Sequence, residues 1–383
     1  MDGQQARDLA RQVLQLKEAG KTFASDHTAA SSFEIYRDPA RFQQERESIF
    51  RRLPHAAAHA SELNTPNGFV RREYAGVPLL LTRDEQGIAH AFVNTCRHRG
   101  MQLVADHEGC AKRFSCPYHA WTYANDGRFL SAPHFDQGFG ELNKADLSLQ
   151  ELGCREAFGF IWVTLAHTPE GDFDTLLAPI ADDLAALEID SLVAVQTTET
   201  AYAANWKLLA EGGLEAYHFK IAHRKTIGPY FENNLSTYQV FGDHLRSVLP
   251  RNSLSAEELA NRDFALRDHA NLLYSLFPSS QLLAQQDHIV WIQNDPQAAD
   301  RTAMRLITLA PRTGVNSAGQ GSAVSAYWER NHAITLATLE EDFRIGEAIQ
   351  RSVNAGLEQN MIFGRFESAL AEFNATVERY LQA

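Results

Sequence analysis

Two short stretches of the sequence each place a cysteine just ahead of a histidine: Cys96-Arg97-His98 and, after seventeen intervening residues, Cys116-Pro117-Tyr118-His119. Together they offer two thiolates and two imidazoles from two loops. One chemistry that uses such a set is a tetrahedral zinc site. Zinc modules, however, usually take both cysteines from one turn (C-x2-4-C) and both histidines from another (H-x3-5-H). Here each loop gives one of each, a mixed pairing that suits two metal ions, one held by both thiolates and the other by both imidazoles.

That division of ligands is the one found in a Rieske [2Fe-2S] cluster, where two neutral imidazoles replace two anionic thiolates and raise the reduction potential above that of four-cysteine clusters. Such a centre takes electrons one at a time from ferredoxin-type donors. "CRHRG" and "CPYHAW" resemble the Rieske domain of the Rieske non-haem iron oxygenases. The usual glycine after the second histidine is Ala120 here, a departure that touches loop packing and not ligation.

A second constellation lies in "NWKLLAEGGLEAYHFKIAH", Asn205 to His223. On one continuous helix Glu211, Glu215 and His218 share a face. Five further residues, at about 100° each, leave His223 about 140° from His218, so sharing one metal requires an irregularity, expected near 219–222. Two histidines and one carboxylate on one side of iron make the facial triad of non-haem Fe(II) oxygenases, with positions left open for O2 and substrate. The carboxylate must come from elsewhere, and "LEEDFRIGEAIQ" offers Glu340, Glu341 and Asp342, any of which also suits the acidic start of a helix.

The same family resemblance extends to this stretch. It implies that Asp342, with Gln350 eight residues on, is the third ligand beside His218 and His223. It implies that Glu215 orients His218 and accepts a hydrogen bond from His119 of another subunit, linking cluster to iron. Many members use Asp there; E-x2-L-E-x-Y-H looks more like the choline, betaine and carnitine oxygenase branch.

Bulk properties narrow the alternatives. The chain has 383 residues and a formal net charge of −13, without the basic footprint that nucleic-acid binding needs. Its apolar runs, such as "FGFIWVTLA", fall short of the roughly 18 residues of a membrane span, and no signal-peptide pattern opens it, so a cytoplasmic location is expected. The remaining cysteines, Cys110 and Cys154, lack a histidine at ligand spacing and are expected to be small buried residues. G-F-G at 138–140 and G-Q-G at 319–321 both lack the third glycine of a dinucleotide-binding loop, so NAD(P)H must be oxidised by a separate reductase, acting directly or through a ferredoxin.

These sites need positioning elements. Ala6, Leu9, Val13, Leu14 and Leu16 form a helical stripe that stops at Gly20. From about residue 67 short β-rich runs take over, with turns at "DEQG" and Asn125-Asp126-Gly127, and they end near "FIWVTL" at 160–165. A helical stretch near 174, a long strand "VAVQTTETAYAA", a helix from Asn205, strands at 278–293 and 302–310, a loop "TGVNSAGQGS" and helices from Leu339 to Leu381 follow, the last with a stripe of Phe366, Leu370, Phe373, Val377 and Leu381.

The expected architecture is α+β: an all-β Rieske [2Fe-2S] domain at 40–165, and a mononuclear-iron domain from 1–39 and 166–383. The resemblance makes the latter a helix-grip (START-like) fold with an antiparallel sheet and long C-terminal helices, assembled as a head-to-tail homotrimer. Leu282, Leu283, Gln285, His288, Trp291, Phe363 and Phe366 are candidate pocket residues, though an apolar stripe also suits a core. The expected function is the terminal component of an O2-dependent oxygenase acting on a small organic substrate, aromatic or quaternary ammonium. A Rieske electron-transfer protein with an iron-free binding domain and a zinc-bearing ligand-binding protein are the alternatives.

Overall fold

The computed structural model describes residues 1–166, 173–312 and 322–382, so most of the loop at 313–322 lies outside the described residues. The chain divides into a unit of residues 50–175 and a unit formed by 1–49 with 176–383.

The 50–175 unit is built from short antiparallel strands. Gly68–Tyr74 and Val77–Arg83 pair as a hairpin, Ala89–Val93 joins on one side, and Glu108–Cys110 closes the other edge. A second sheet runs Arg113–Ser115, Thr122–Ala124, Phe129–Ser131, and a third sets Phe160–Thr164 between Gly153–Ala157 and His55–His59. The Asn-Asp-Gly turn forms as the sequence implies: Gly127 sits at φ +82, and a Cβ there would come within 2.4 Å of the Phe92 ring. Cys110 is exposed, contrary to expectation, because its three-residue edge strand is open to solvent throughout. Cys154 is half-buried, and burial pushes its thiol up to about 12.

The other unit centres on a seven-stranded antiparallel sheet in the order Leu192–Tyr202, Arg301–Pro311, Ile289–Ala298, Ser280–Ala284, Ala270–Leu276, His244–Pro250, Thr237–Phe241. The helix Ser322–Val353 packs on this sheet through Phe343, which meets Tyr202, Val290, Ile292, Met304 and Leu306 in one apolar cluster. That helix begins well before Leu339. Of the C-terminal stripe, Leu370, Phe373, Val377 and Leu381 belong to a separate helix, Ser368–Gln382, while Phe366 sits in the 3-10 turn ahead of it, and between the two helices Asn360–Phe363 pairs with Ala29–Ser32. At the N-terminus Gly3–Glu18 is helical, opened by a capping box between Asp2 and Gln5, and Leu9, Val13 and Leu14 are buried as their spacing implies. The segment near 174 is broken into two short helices, Phe173–Leu177 and Ala181–Ala186, with Pro179 between them.

Candidate metal centres

The two cysteine–histidine loops are copies of one backbone device. Cys96 N–H donates to Met101 O (2.8 Å) and Gly100 N–H to Cys96 O (3.0 Å); Cys116 N–H donates to Trp121 O (2.8 Å) and Ala120 N–H to Cys116 O (2.9 Å). Each loop turns through a residue with positive φ, Gly100 at +73 and Ala120 at +55. Alanine takes that conformation at a cost glycine would not incur.

Both cysteines are buried, and burial raises the Cys116 thiol above its ordinary value. The His98 ring stacks on Trp121 (5.0 Å between centroids) and meets the edge of His119 (4.6 Å). Its Nδ1 is buried and has no hydrogen-bond partner, as a ligand atom awaiting a metal would be. Tyr123 Oη accepts the Arg97 N–H at 3.0 Å and lies 3.4 Å from Cys96 Sγ. Among the described residues the only set of three or more such side chains whose ligand atoms mutually approach within 4.8 Å lies elsewhere. Sulfur beside sulfur and imidazole beside imidazole thus form two pairs, which fit a two-iron cluster better than one tetrahedral zinc.

The set that does converge is His218, His223 and Asp342. Asn205 caps the helix Trp206–Glu211 through its side chain, which accepts from Lys207 N–H at 3.0 Å. That helix ends at Glu211, and the irregularity therefore lies at 212–217, whereas Phe219–Ala222 is itself a helical turn. Gly212-Gly213 marks the place: a Cβ on Gly213 would lie 2.9 Å from Leu273 Cδ2 and 3.2 Å from Gln281 Nε2, so a larger residue there would have to push those side chains aside. Glu211 consequently does not share the face of His218. It is buried on the other side, accepting from Tyr36 Oη (2.9 Å) and Asn374 Nδ2 (2.8 Å).

The geometry around the triad is symmetrical in its logic. The two Nε2 atoms lie 3.2 Å apart, and Asp342 Oδ1 is 3.3 Å from that of His218 and 3.0 Å from that of His223. Each histidine's other nitrogen faces a carboxylate: Glu215 Oε1 for His218 and, at 2.7 Å, Glu341 Oε2 for His223. Thr226 Oγ1 donates to the same Glu341 oxygen at 2.7 Å.

On a helix the three consecutive acids diverge: Asp342 joins the triad, Glu341 orients His223, and Glu340 stands near Tyr202. Gln350 ties this helix to the start of the other, accepting from Asn205 N–H at 2.8 Å. Burial disfavours a charged His218, yet Asp342 and Glu215 override it and raise its pKa to about 10, while the two histidines hold the Asp342 carboxyl below its usual range despite burial. The site calls for positive charge, which a divalent cation supplies.

His223 and Asp342 open onto a cavity of about 100 Å³. Of the candidate pocket residues, Leu283 and Gln285 line it. Leu282 and Trp291 face the opposite side of the sheet, where they are paired, because side chains alternate along a strand. His288 stands behind Gln285, Phe366 packs on Tyr217 at 4.5 Å, and Phe363 borders a different cavity. Gln281, Asn271, Thr335 and Thr338 line the wall without having been singled out in the sequence.

Two family models match the chain: the Rieske [2Fe-2S] domain at residues 54–151 and the ring hydroxylating alpha subunit (catalytic domain) at residues 189–383. The glycine betaine monooxygenase oxygenase subunit of Chromohalobacter salexigens is 32% identical over 228 residues, 59% of this chain and 48% of that protein. The anthranilate 1,2-dioxygenase large subunit of Acinetobacter baylyi is 28% identical over 255 residues, 64% of this chain and 53% of that one. The chain thus spans about half the length of the curated relatives it matches. Among solved structures, a quaternary ammonium Rieske monooxygenase in complex with L-carnitine superposes with a TM-score of 0.79 at 21% identity, covering 92% of this chain and 96% of that one. Naphthalene 1,2-dioxygenase from Rhodococcus sp. bound to indole gives 0.72 at 18%, covering 98% of each. These likenesses establish the fold.

Proposed function

Because the chain belongs to the family of ring-hydroxylating alpha subunits and carries a Rieske domain ahead of the catalytic one, we propose that it is the terminal oxygenase component of a multicomponent system. In this reading it hydroxylates a small organic substrate with O2 and with electrons from a separate NAD(P)H-dependent reductase, directly or through a ferredoxin. Cys96 and Cys116 hold one iron of a [2Fe-2S] cluster, His98 and His119 the other; His218, His223 and Asp342 hold a single Fe(II). Bound there, the ferrous ion supplies open coordination positions and the redox chemistry that activates O2. The chain's own residues fix both imidazoles by their Nδ1 atoms through Glu215 and Glu341, and wall the reaction off in a mostly apolar cavity.

The observation that carries this reading is the meeting of three ligand atoms within 4.8 Å at the end of that cavity. Glu215 links the two centres across a homotrimer in the proposal, its carboxylate answering His119 of a neighbouring subunit. Metal and sulfide analysis of anaerobically purified protein tests it: three irons and two acid-labile sulfides per chain are expected, with substrate-dependent O2 uptake when a reductase is added. Two irons per chain would instead mean an electron-transfer protein, and colourless zinc-loaded protein would end both redox readings. A second reading within the class, a monooxygenase of quaternary ammonium compounds, is favoured by the betaine and carnitine relatives and by the Glu at position 215.

A further inference from the structure

A hydrogen-bond chain runs from the surface to one wall of the iron-side cavity, and its polarity fixes what that wall offers to a ligand. Tyr327, partly exposed, donates its O–H to Asp287 Oδ2 at 2.6 Å. Asp287 Oδ1 lies 2.7 Å from His288 Nδ1; a carboxylate only accepts, so Nδ1 carries the proton. His288 is 3% exposed, and burial, helped by the charges of Arg267 and Arg251, lowers its pKa despite Asp287, so the ring is neutral and Nε2 presents a lone pair. Nε2 then accepts from the Gln285 amide at 3.0 Å, and the same amide nitrogen donates to Thr335 Oγ1 at 3.3 Å. Both amide hydrogens are committed. Among the described residues Gln285 Oε1 is left as an acceptor without a partner, on a residue that lines the cavity.

The rest of the wall narrows the ligand further. Gln281 donates from its amide to Ala210 O (2.9 Å), and Asn271 Oδ1 is taken by Arg251 (2.7 Å). Among the described residues no Lys, Arg, Tyr or Trp lines the cavity, and the one carboxylate there, Asp342, belongs to the metal set. A quaternary ammonium ion has no N–H to give Gln285 and would lose its hydration against leucine and phenylalanine without a counter-charge. A carboxylate would meet the Gln285 oxygen with no Lys or Arg among the described lining residues to balance its charge.

Resting on the oxygenase reading above, we propose that Gln285 is a specificity-determining residue, held by His288, Asp287 and Tyr327 as positioning residues. The substrate is then an uncharged, mostly apolar molecule of about one ring in size, bearing an O–H or N–H donor.

Calorimetric titration of reduced, anaerobic holoprotein with matched ligands tests this. Wild-type protein should bind 4-methylphenol roughly three- to tenfold more tightly than toluene. It should bind 4-methylanisole, which keeps the oxygen but lacks the proton, no better than toluene. In Gln285→Leu and in His288→Phe the phenol-to-toluene ratio should fall to about one, with iron and sulfide content unchanged. A ratio near one in the wild type, anisole binding as tightly as the phenol, a ratio that survives Gln285→Leu, or tighter binding of glycine betaine or 4-methylbenzoate would each overturn the proposal. The ligand series on wild-type protein decides the matter even if the variants fail to fold. None of these outcomes touches the oxygenase reading, which fails separately if every ligand that binds gives no product when the reduced protein meets O2.

Discussion

Glu215 and Glu341 act alike on the two histidines, yet only one of them stands out in the sequence. Glu215 sits three residues before His218, a spacing that suggests contact; Glu341 is one of three adjacent acids, and nothing linear says which faces His223. Only the phase of the helix Ser322–Val353 separates orienter from ligand. Removing the orienter should cost iron affinity: Glu341→Ala is expected to weaken Fe(II) binding about 10- to 100-fold in a metal titration, with cluster absorbance unchanged. Glu215→Gln tests a different role. Glu215 already accepts from the Tyr217 and His218 amides while facing His218 Nδ1. The amide should leave both metals bound and the cluster reducible but suppress product, and full turnover would defeat the bridge.

Glu211, which the helical-face reading grouped with these residues, makes a stability prediction instead. Its burial raises the carboxyl from 4.5 to about 7, against the donors Asn374 and Tyr36 and the charge of Lys207. The folded state therefore favours the neutral acid; that contribution is complete below about 4.5 and is lost as pH rises to about 7. Glu211→Gln should gain on the wild type over that interval, by up to about 3 kcal/mol at pH 8, in denaturant melts run at a series of pH values.

At the scale of elements, the legible parts are those with a short-range cause. The Asn-Asp-Gly hairpin, the capped N-terminal helix and the long strand before Asn205 all follow from local pattern. The strands Thr237–Phe241, His244–Pro250 and Ala270–Leu276 leave little mark in the sequence, the last two because they are buried on both faces and show no alternation. The helix break at 212–217 has a long-range cause. Helical phase demands a break between His218 and His223, but the break comes before His218, and the contact beside it, Gly213 against Leu273 and Gln281, is made by two strands lying sixty and sixty-eight residues downstream. Gly213→Ala should accordingly destabilise the fold by about 1–3 kcal/mol and lower iron retention, both measurable from a thermal melt and an iron assay on one preparation. An unchanged melting temperature and full iron content would mean that the contact has slack.

At the scale of the whole molecule, each unit holds its own centre: the cysteine–histidine loops lie within 50–175 and the histidine–aspartate triad within the remainder. No helix among the described residues is long and apolar enough to cross a membrane. The family resemblance implies that electrons pass from one subunit's cluster to the next subunit's iron, and a closed ring is what a head-to-tail interface of this kind produces. Mixed assemblies can separate that route from one confined to a single chain. Cys116→Ser removes the cluster and leaves the triad; His218→Ala removes the triad and leaves the cluster. Neither chain alone should turn over, and within-chain transfer predicts that co-assembled chains also fail. In a ring with transfer between neighbours, a triad-bearing subunit works whenever its upstream neighbour keeps the cluster, which for equal, random mixing gives about a quarter of wild-type activity per chain. Co-expression of the two variants, sizing to isolate a species of three 42.8 kDa chains, and a turnover assay would measure it. Activity indistinguishable from that of either variant alone would exclude transfer between subunits.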